Sequence, residues 1–220
     1  VAPDAVNLEK FNIKISKEDA RKKLGLPPDK KLVGYVGMLR TLGMEKGIDI
    51  AIESLSQLKD REDLRLVLVG GHPEDIEFYK KSSEKFGIEN SVIFTGMTRH
   101  DLIPEYLKAF DVLIAPFPEN EHYSFYMSPL KIFEYMASGR PIISTDLPSL
   151  REVLNPDNSV LVAPGNARDL GAAILMVLRD GNFSKNISSK ALADAHEYTW
   201  IKRAGRIADF LENLSGHESA

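Results

Sequence analysis

Apolar residues in this chain fall into short unbroken runs, separated by stretches of helical period. The runs are 32–37 (LVGYVG), 64–70 (LRLVLVG), 91–96 (SVIFTG), 111–116 (DVLIAP), 141–145 (PIIST) and 159–164 (SVLVAP), and each closes on Gly, Pro or Thr. A run without alternation suits a strand buried on both faces, which is the condition of a parallel sheet. Between the runs, 47–58 sets Ile48, Ala51, Ile52 and Leu55 on one helical face, and 167–179 does the same with Leu170, Ala173, Ile174 and Val177. Segment 74–86 stops at Gly87, 102–109 carries Pro104 in its first turn, and 129–138 opens on Pro and stops before Gly139. These are the ordinary start and stop signals of helices.

Strand and helix in alternation predict an α/β fold, a doubly wound parallel six-stranded sheet of Rossmann-like type, with strand order 3-2-1-4-5-6. In that order the first and fourth strands are neighbours where the winding reverses. A ligand crevice is expected at the ends of 32–37 and 111–116, which precede the longest irregular loops, 38–46 and 117–128. The entry segment 1–15 shows no clear element. Segment 16–24 reads as a helix with Ser16 as N-cap and Asp19 three residues on. After the α/β core (16–181), two helical patterns, 184–197 and 200–214, have no strand between them and are expected to pack on one edge. The second carries an apolar face of Trp200, Ile201, Ile207, Phe210 and Leu211. Length alone suits one large domain or two small ones, and the single alternation of strand and helix is read as one domain over 1–220.

Composition narrows the function. A net charge of −4 and a pI near 5.8 argue against a nucleic-acid partner. Without cysteine there is no disulfide and no thiolate metal site. No apolar run reaches the length of a transmembrane helix and no signal peptide is apparent, so the expectation is a cytoplasmic protein, with peripheral membrane contact left open.

Three segments could carry chemistry. In the loop from Gly37 to Gly47, Gly37 lets the chain leave its strand. Arg40 and Lys46 could reach the crevice, and Gly47 opens a helix whose N-terminus favours an anion. Two cations at one helix start suit a diphosphate; the alternative is a solvated loop with two surface cations. The loop matches neither a Walker sequence nor G-x-G-x-x-G. At 128–134, the backbone N–H groups of Leu130 and Lys131, with the Ser128 hydroxyl, could face a phosphate, since Pro129 has no N–H to offer. Glu134 sits one turn further in, among Ile132, Phe133 and Met136. An unpartnered carboxylate there is costly, which favours one that accepts the vicinal hydroxyls of a ribose. The alternative makes Ser128 a plain N-cap and Glu134 a solvent residue. In the third segment, 95–100, Gly96 and Met97 could hold a flat base, or form a simple turn. His122 lies beside Glu119 and Glu121, but three polar residues in an irregular loop read as a solvated tip, so no metal site is assigned. No Ser-His-Asp set follows from spacing, and a Gly-x-Ser-x-Gly elbow is absent.

With these residues in view, the chain resembles the C-terminal half of a GT-B glycosyltransferase, most similar to the retaining family 4 (group 1) type. The resemblance rests on V-x-P-D-x-V-x-L-x-x-F at 1–11, on Val36-Gly37 followed by Lys46-Gly47, on VIFTG at 92–96, on PLKIFEYMASGRPII at 129–143 and on Tyr198-Thr-Trp200. It implies transfer of a hexose from a nucleoside diphosphate sugar to an unspecified acceptor, without a resident cofactor and independent of metal. Lys46 and a loop arginine, here Arg40, would bind the donor diphosphate and assist its departure, and Glu134 would hold the ribose. Such enzymes have an arginine where this chain has Met38, and a second glutamate where it has Tyr126. The resemblance also implies a separate N-terminal acceptor domain, absent from these 220 residues. Two other expectations compete with it: a non-catalytic binding subunit that pairs with a separate acceptor-domain chain, and an epimerase or phosphorylase on the same fold. The first would show an exposed apolar patch built from 1–11 and 200–214.

Overall fold

Burial on both faces turns the apolar runs into strands. The computed structural model describes residues 2–41 and 43–217, with side chains as far as Asn213. In chain order the elements are α1 (Leu8–Phe11), α2 (Lys17–Leu24), β1 (Lys31–Val36), β2 (Arg40–Thr41), β3 (Met44–Glu45), α3 (Ile48–Ser56), β4 (Leu64–Val69), α4 (Pro73–Lys85) and β5 (Val92–Gly96). They continue with α5 (Ile103–Ala109), β6 (Val112–Ala115), α6 (Leu130–Ser138), β7 (Ile142–Thr145), α7 (Pro148–Arg151), β8 (Val160–Val162), α8 (Ala167–Arg179), α9 (Gly181–Ala195) and α10 (Trp200–His217).

The main sheet is parallel throughout, in the order β5-β4-β1-β6-β7-β8. Counting only these strands, that is the expected 3-2-1-4-5-6. Successive β1 side chains point to opposite cores, as the two-residue period of a strand requires. Leu32 and Val36 enter one core with Phe133 and Met136 of α6. Val33 and Tyr35 enter the other with Ile48 and Ile52 of α3 and Ile174 of α8.

One ionic hub joins the first layer to the sheet. Asp111, immediately before β6, accepts hydrogen bonds from the Leu32 N–H at 2.8 Å, from Arg21 Nη2 at 2.6 Å and from Lys17 Nζ at 2.9 Å. Arg21 also donates to the carbonyls of Ala109 and Lys30. This side chain on α2 therefore ties together the ends of β1 and β6, the two strands that bound the crevice.

The chain ends differ from expectation. The entry segment is not featureless: Asn7 caps α1 by accepting from the Lys10 N–H, and Ala5, Val6 and Phe11 are buried. Val6 donates its N–H to the Tyr198 carbonyl at 2.8 Å, which stitches the two ends of the chain together. The Tyr198 ring meets Phe133 of α6 at 5.3 Å. Of the two C-terminal helices, α9 packs as expected, burying Ile187, Ala191 and Ala195. By contrast, Trp200, Ile201, Ile207, Phe210 and Leu211 of α10 are exposed. The anticipated patch is thus confined to α10, because the residues of 2–11 that would have joined it are turned into the core. No helix among the described residues is long and apolar enough to cross a membrane.

Candidate functional site

A cavity of about 740 Å³ opens where the strand order reverses, at the C-terminal ends of β1 and β6. Its floor includes Val36, Gly37, Val69 and Phe117, and its walls carry Lys46, Lys131 and Glu134. The loops after β1 and β6 meet here backbone to backbone. Gly47, at φ +75°, begins α3 so close to β6 that a Cβ on it would lie 1.7 Å from the Pro116 carbonyl oxygen. Gly37, at φ +134°, lies against another functional element: a Cβ there would come within 3.0 Å of Lys131 Nζ. Only glycine allows both approaches.

The start of α6 faces the same space. Pro129 is the N-cap residue and makes no side-chain cap, while Leu130, Lys131 and Glu134 line the cavity. The first N–H accounted for inside the helix is that of Ile132, which donates to the Pro129 carbonyl. The Leu130 and Lys131 N–H groups precede it and have no intrahelical acceptor, as at any helix start. Ser128 lines the cavity but is not the cap; its Oγ accepts from the Asp4 N–H at 2.8 Å.

Glu134 is shielded, with 16% of its side chain exposed, and its Oε1 lies 3.4 Å from His100 Nε2. Burial pushes its carboxyl above the ordinary glutamate range, against the pull of His100, Lys10 and Lys131. His100 in turn contacts Lys10 Nζ through Nδ1, so α1 and the segment after β5 converge on this carboxylate. Lys131 Nζ lies over the rings of Tyr35 at 3.8 Å and Phe117 at 5.2 Å and donates to Tyr35 Oη at 2.5 Å. Burial, then the nearby Lys46 charge, holds its ammonium well below the ordinary lysine range.

The structure gathers most of the residues singled out from sequence: Gly37, Lys46, Met97, Ser128, Leu130, Lys131 and Glu134 all line this cavity. Lys46 Nζ lies 4.8 Å above the Tyr123 ring. Arg40 and Gly96 are not among the lining residues. The loop after β1 is not irregular but folds into the β2–β3 hairpin, which turns Arg40 outward. Arg40 lies over the Phe78 ring at 5.0 Å, with Nε 4.0 Å from Asp75 Oδ1 on α4. Gly96, at φ +73°, is spent on the strand end, where its carbonyl accepts from the Gly70 N–H. The loop after β6 also has order: a π-helical turn, His122–Tyr126, places Tyr123 and Tyr126 at the cavity. The Tyr123 hydroxyl donates to the Glu45 carbonyl at 3.0 Å and so ties this turn to the hairpin. Among the described residues, no three His, Asp or Glu side chains gather as a metal site, and His122 packs on Tyr123 instead. Sequence reasoning missed His100 as the partner of Glu134, and missed the Lys131 side chain. The one available signal was a lysine set directly beside Ile132 and Phe133 on a helix otherwise largely buried.

A family model described as glycosyl transferases group 1 matches residues 30–180. The chain belongs to the group 1 glycosyltransferases. Relatives of this glycosyltransferase chain include an uncharacterized glycosyltransferase of Methanocaldococcus jannaschii, 27% identical over 90% of the chain and 49% of the relative. Another is the lipopolysaccharide core biosynthesis mannosyltransferase LpsB of Rhizobium meliloti, 27% identical over 95% of the chain and 59% of the relative. The glycosyltransferase chain thus spans about half the length of the curated relatives it matches. Among solved structures, sucrose-phosphate synthase of Thermosynechococcus elongatus superposes with a TM-score of 0.78 at 25% identity, over 98% of the chain and 52% of that protein. The HepE protein of Anabaena, solved in complex with UDP, gives 0.80 at 23% identity over 95% of the chain and 56% of HepE. These likenesses place the doubly wound sheet among GT-B glycosyltransferase structures.

Proposed function

We propose that this chain is the donor half of a retaining glycosyltransferase that transfers a hexose from a nucleoside diphosphate sugar. In this reading the acceptor half lies in the part of the relatives' length that the chain does not span. The observation that carries it is the convergence, on one cavity, of a helix N-terminus, two lysines and a shielded carboxylate at the reversal of a parallel sheet.

The roles follow from the chemistry. The diphosphate lies against the Leu130 and Lys131 N–H groups, where the dipole of α6 adds to the hydrogen bonds, with Lys46 on its other side. As the sugar–phosphate bond breaks, charge grows on the departing diphosphate, and these fixed donors stabilise it without reorganising. Glu134 accepts the ribose hydroxyls, and His100 yields the carboxylate to them. The base extends toward Met97 and Thr98. Arg40 is left out of this scheme because of its engagement with Asp75 and Phe78. Held by amides and ammonium groups, the diphosphate needs no metal in this reading, so chelator should leave donor binding unchanged.

Calorimetric titration with uridine, guanosine and adenosine diphosphates tests this. One of them is expected to bind, with or without EDTA. Glu134→Gln and Lys46→Ala are each expected to weaken it by roughly 1–3 kcal/mol, the scale of hydrogen bonds to charged groups, or about 5- to 150-fold in Kd. Absence of binding by all three, or native affinity in both variants, would refute the reading.

A further inference from the structure

The Lys131 side chain stands out from the rest of the molecule. Arg21, the buried cation on α2, has a carboxylate partner in Asp111 and three backbone carbonyls. Lys131 Nζ has neither. It donates to a phenol, Tyr35 Oη, whose own hydrogen is committed to the Met38 carbonyl at 2.7 Å. It is otherwise enclosed by the Tyr35 and Phe117 rings and by Gly37. No ion pair links it to a carboxylate among the described residues, yet it lines the cavity.

Resting on the reading of a nucleoside diphosphate in this cavity, we propose that the Lys131 side chain is its anion receiver, gaining a proton from solvent as the diphosphate enters and pairing with a phosphate oxygen. An amine removed from water without a counter-charge holds its proton poorly. A dianionic phosphate beside it supplies the missing counter-charge, so protonation and binding favour each other by linkage. The groups facing the amine point the same way. Lys46, from the loop before α3, opposes its charge, while Glu134, one turn along α6, supports it by less than Lys46 opposes it. Tyr35, on β1, is held neutral, its phenol pushed well up by burial and by the neighbouring tyrosines Tyr135, Tyr79 and Tyr123. Its oxygen therefore accepts from the amine but supplies no negative charge. The balance is simple: one amine lone pair takes one proton, and the buffer loses it.

Buffer-dependent calorimetry reads this directly. At a pH of about 8.5 a terminal phosphate, with a second pKa near 6, is already ionised and histidine is neutral. With the diphosphate that binds, the observed heat should then vary with the ionisation enthalpy of the buffer, giving net uptake of up to one proton per site. Lys131→Arg, which keeps its charge at every pH, should bind with no such dependence. Lys131→Met should bind at least ~10-fold more weakly and also take up no proton. Circular dichroism and urea unfolding would establish that both variants fold; if neither does, a pH series on the native chain decides, since uptake should rise with pH as less of the amine is protonated before binding. Binding by the native chain with no buffer dependence at any pH from about 7 to 9.5, or uptake that persists in Lys131→Met, would overturn the role of Lys131 and leave the donor reading standing. No binding of any nucleoside diphosphate would overturn both.

Discussion

Replacing Asp111 with alanine is expected to destabilise the fold by about 3–5 kcal/mol, the cost of removing one partner from a buried ion pair. Its side chain is 9% exposed and that of Arg21 only 4%, so water cannot replace the lost partner. The Leu32 N–H loses its acceptor, and the guanidinium is left with carbonyls alone. Asparagine should cost less, because its amide oxygen can keep the Leu32 bond. The measurement is the urea midpoint at unchanged m-value. The same carboxylate predicts a pH dependence. Burial pushes its pKa up, but the Leu32 N–H, Lys17 and Arg21 outweigh that and hold it below the ordinary aspartate value. A folded-state pKa below the unfolded one means that the contribution is complete above about pH 4 and is lost as the pH falls through the lower folded value. The stability gap between the native chain and Asp111→Asn should therefore be constant from pH 7 to about pH 5 and shrink toward pH 3.

Gly47→Ala is expected to be comparably severe, on the order of 3–5 kcal/mol, and to abolish nucleotide binding in whatever protein folds. Part of the cost is the left-handed backbone, about 1–2 kcal/mol for a residue with a Cβ. The larger part is the 1.7 Å approach to the Pro116 carbonyl oxygen, which is backbone and cannot rotate away. Relief requires the start of α3 to part from the end of β6, and that contact is what brings the two cavity loops together. Gly43 supplies the control. It has nearly the same φ, +76°, in the β2–β3 hairpin that precedes α3, but nothing lies within 4 Å of its would-be Cβ. Gly43→Ala should show the backbone cost alone. Equal melting behaviour of the two variants would mean that the loop junction does not hold the site.

The sheet and the place of the cavity were legible in the sequence because both depend on features that local physics fixes. Runs such as LVGYV and LRLVLV have one way to bury both faces, and Pro129 with Gly139 brackets α6 whatever surrounds it. The register of single side chains was not legible. Arg40 and Lys46 look equivalent in the chain, six residues apart in one loop. The β2–β3 hairpin, two residues to a strand, sends Arg40 to Asp75 on α4 and leaves Lys46 over Tyr123. No periodicity marks so short a hairpin. The partner of Glu134 was hidden for another reason. His100 reaches it from the segment after β5, backed by Lys10 of α1, and only the tertiary fold brings those segments to α6. In Lys131 the sequence did hold a signal, an ammonium among buried neighbours, alongside the backbone N–H that the same residue offers at the helix start.

The most direct measurement is a crystal structure of the chain with its preferred nucleoside diphosphate. The expected result is phosphate oxygens within about 2.7–3.2 Å of the Leu130 and Lys131 N–H groups, and the ribose hydroxyls on Glu134 with His100 displaced. A nucleotide bound with its diphosphate away from the start of α6, or with Glu134 still held by His100 and the ribose elsewhere, would contradict it.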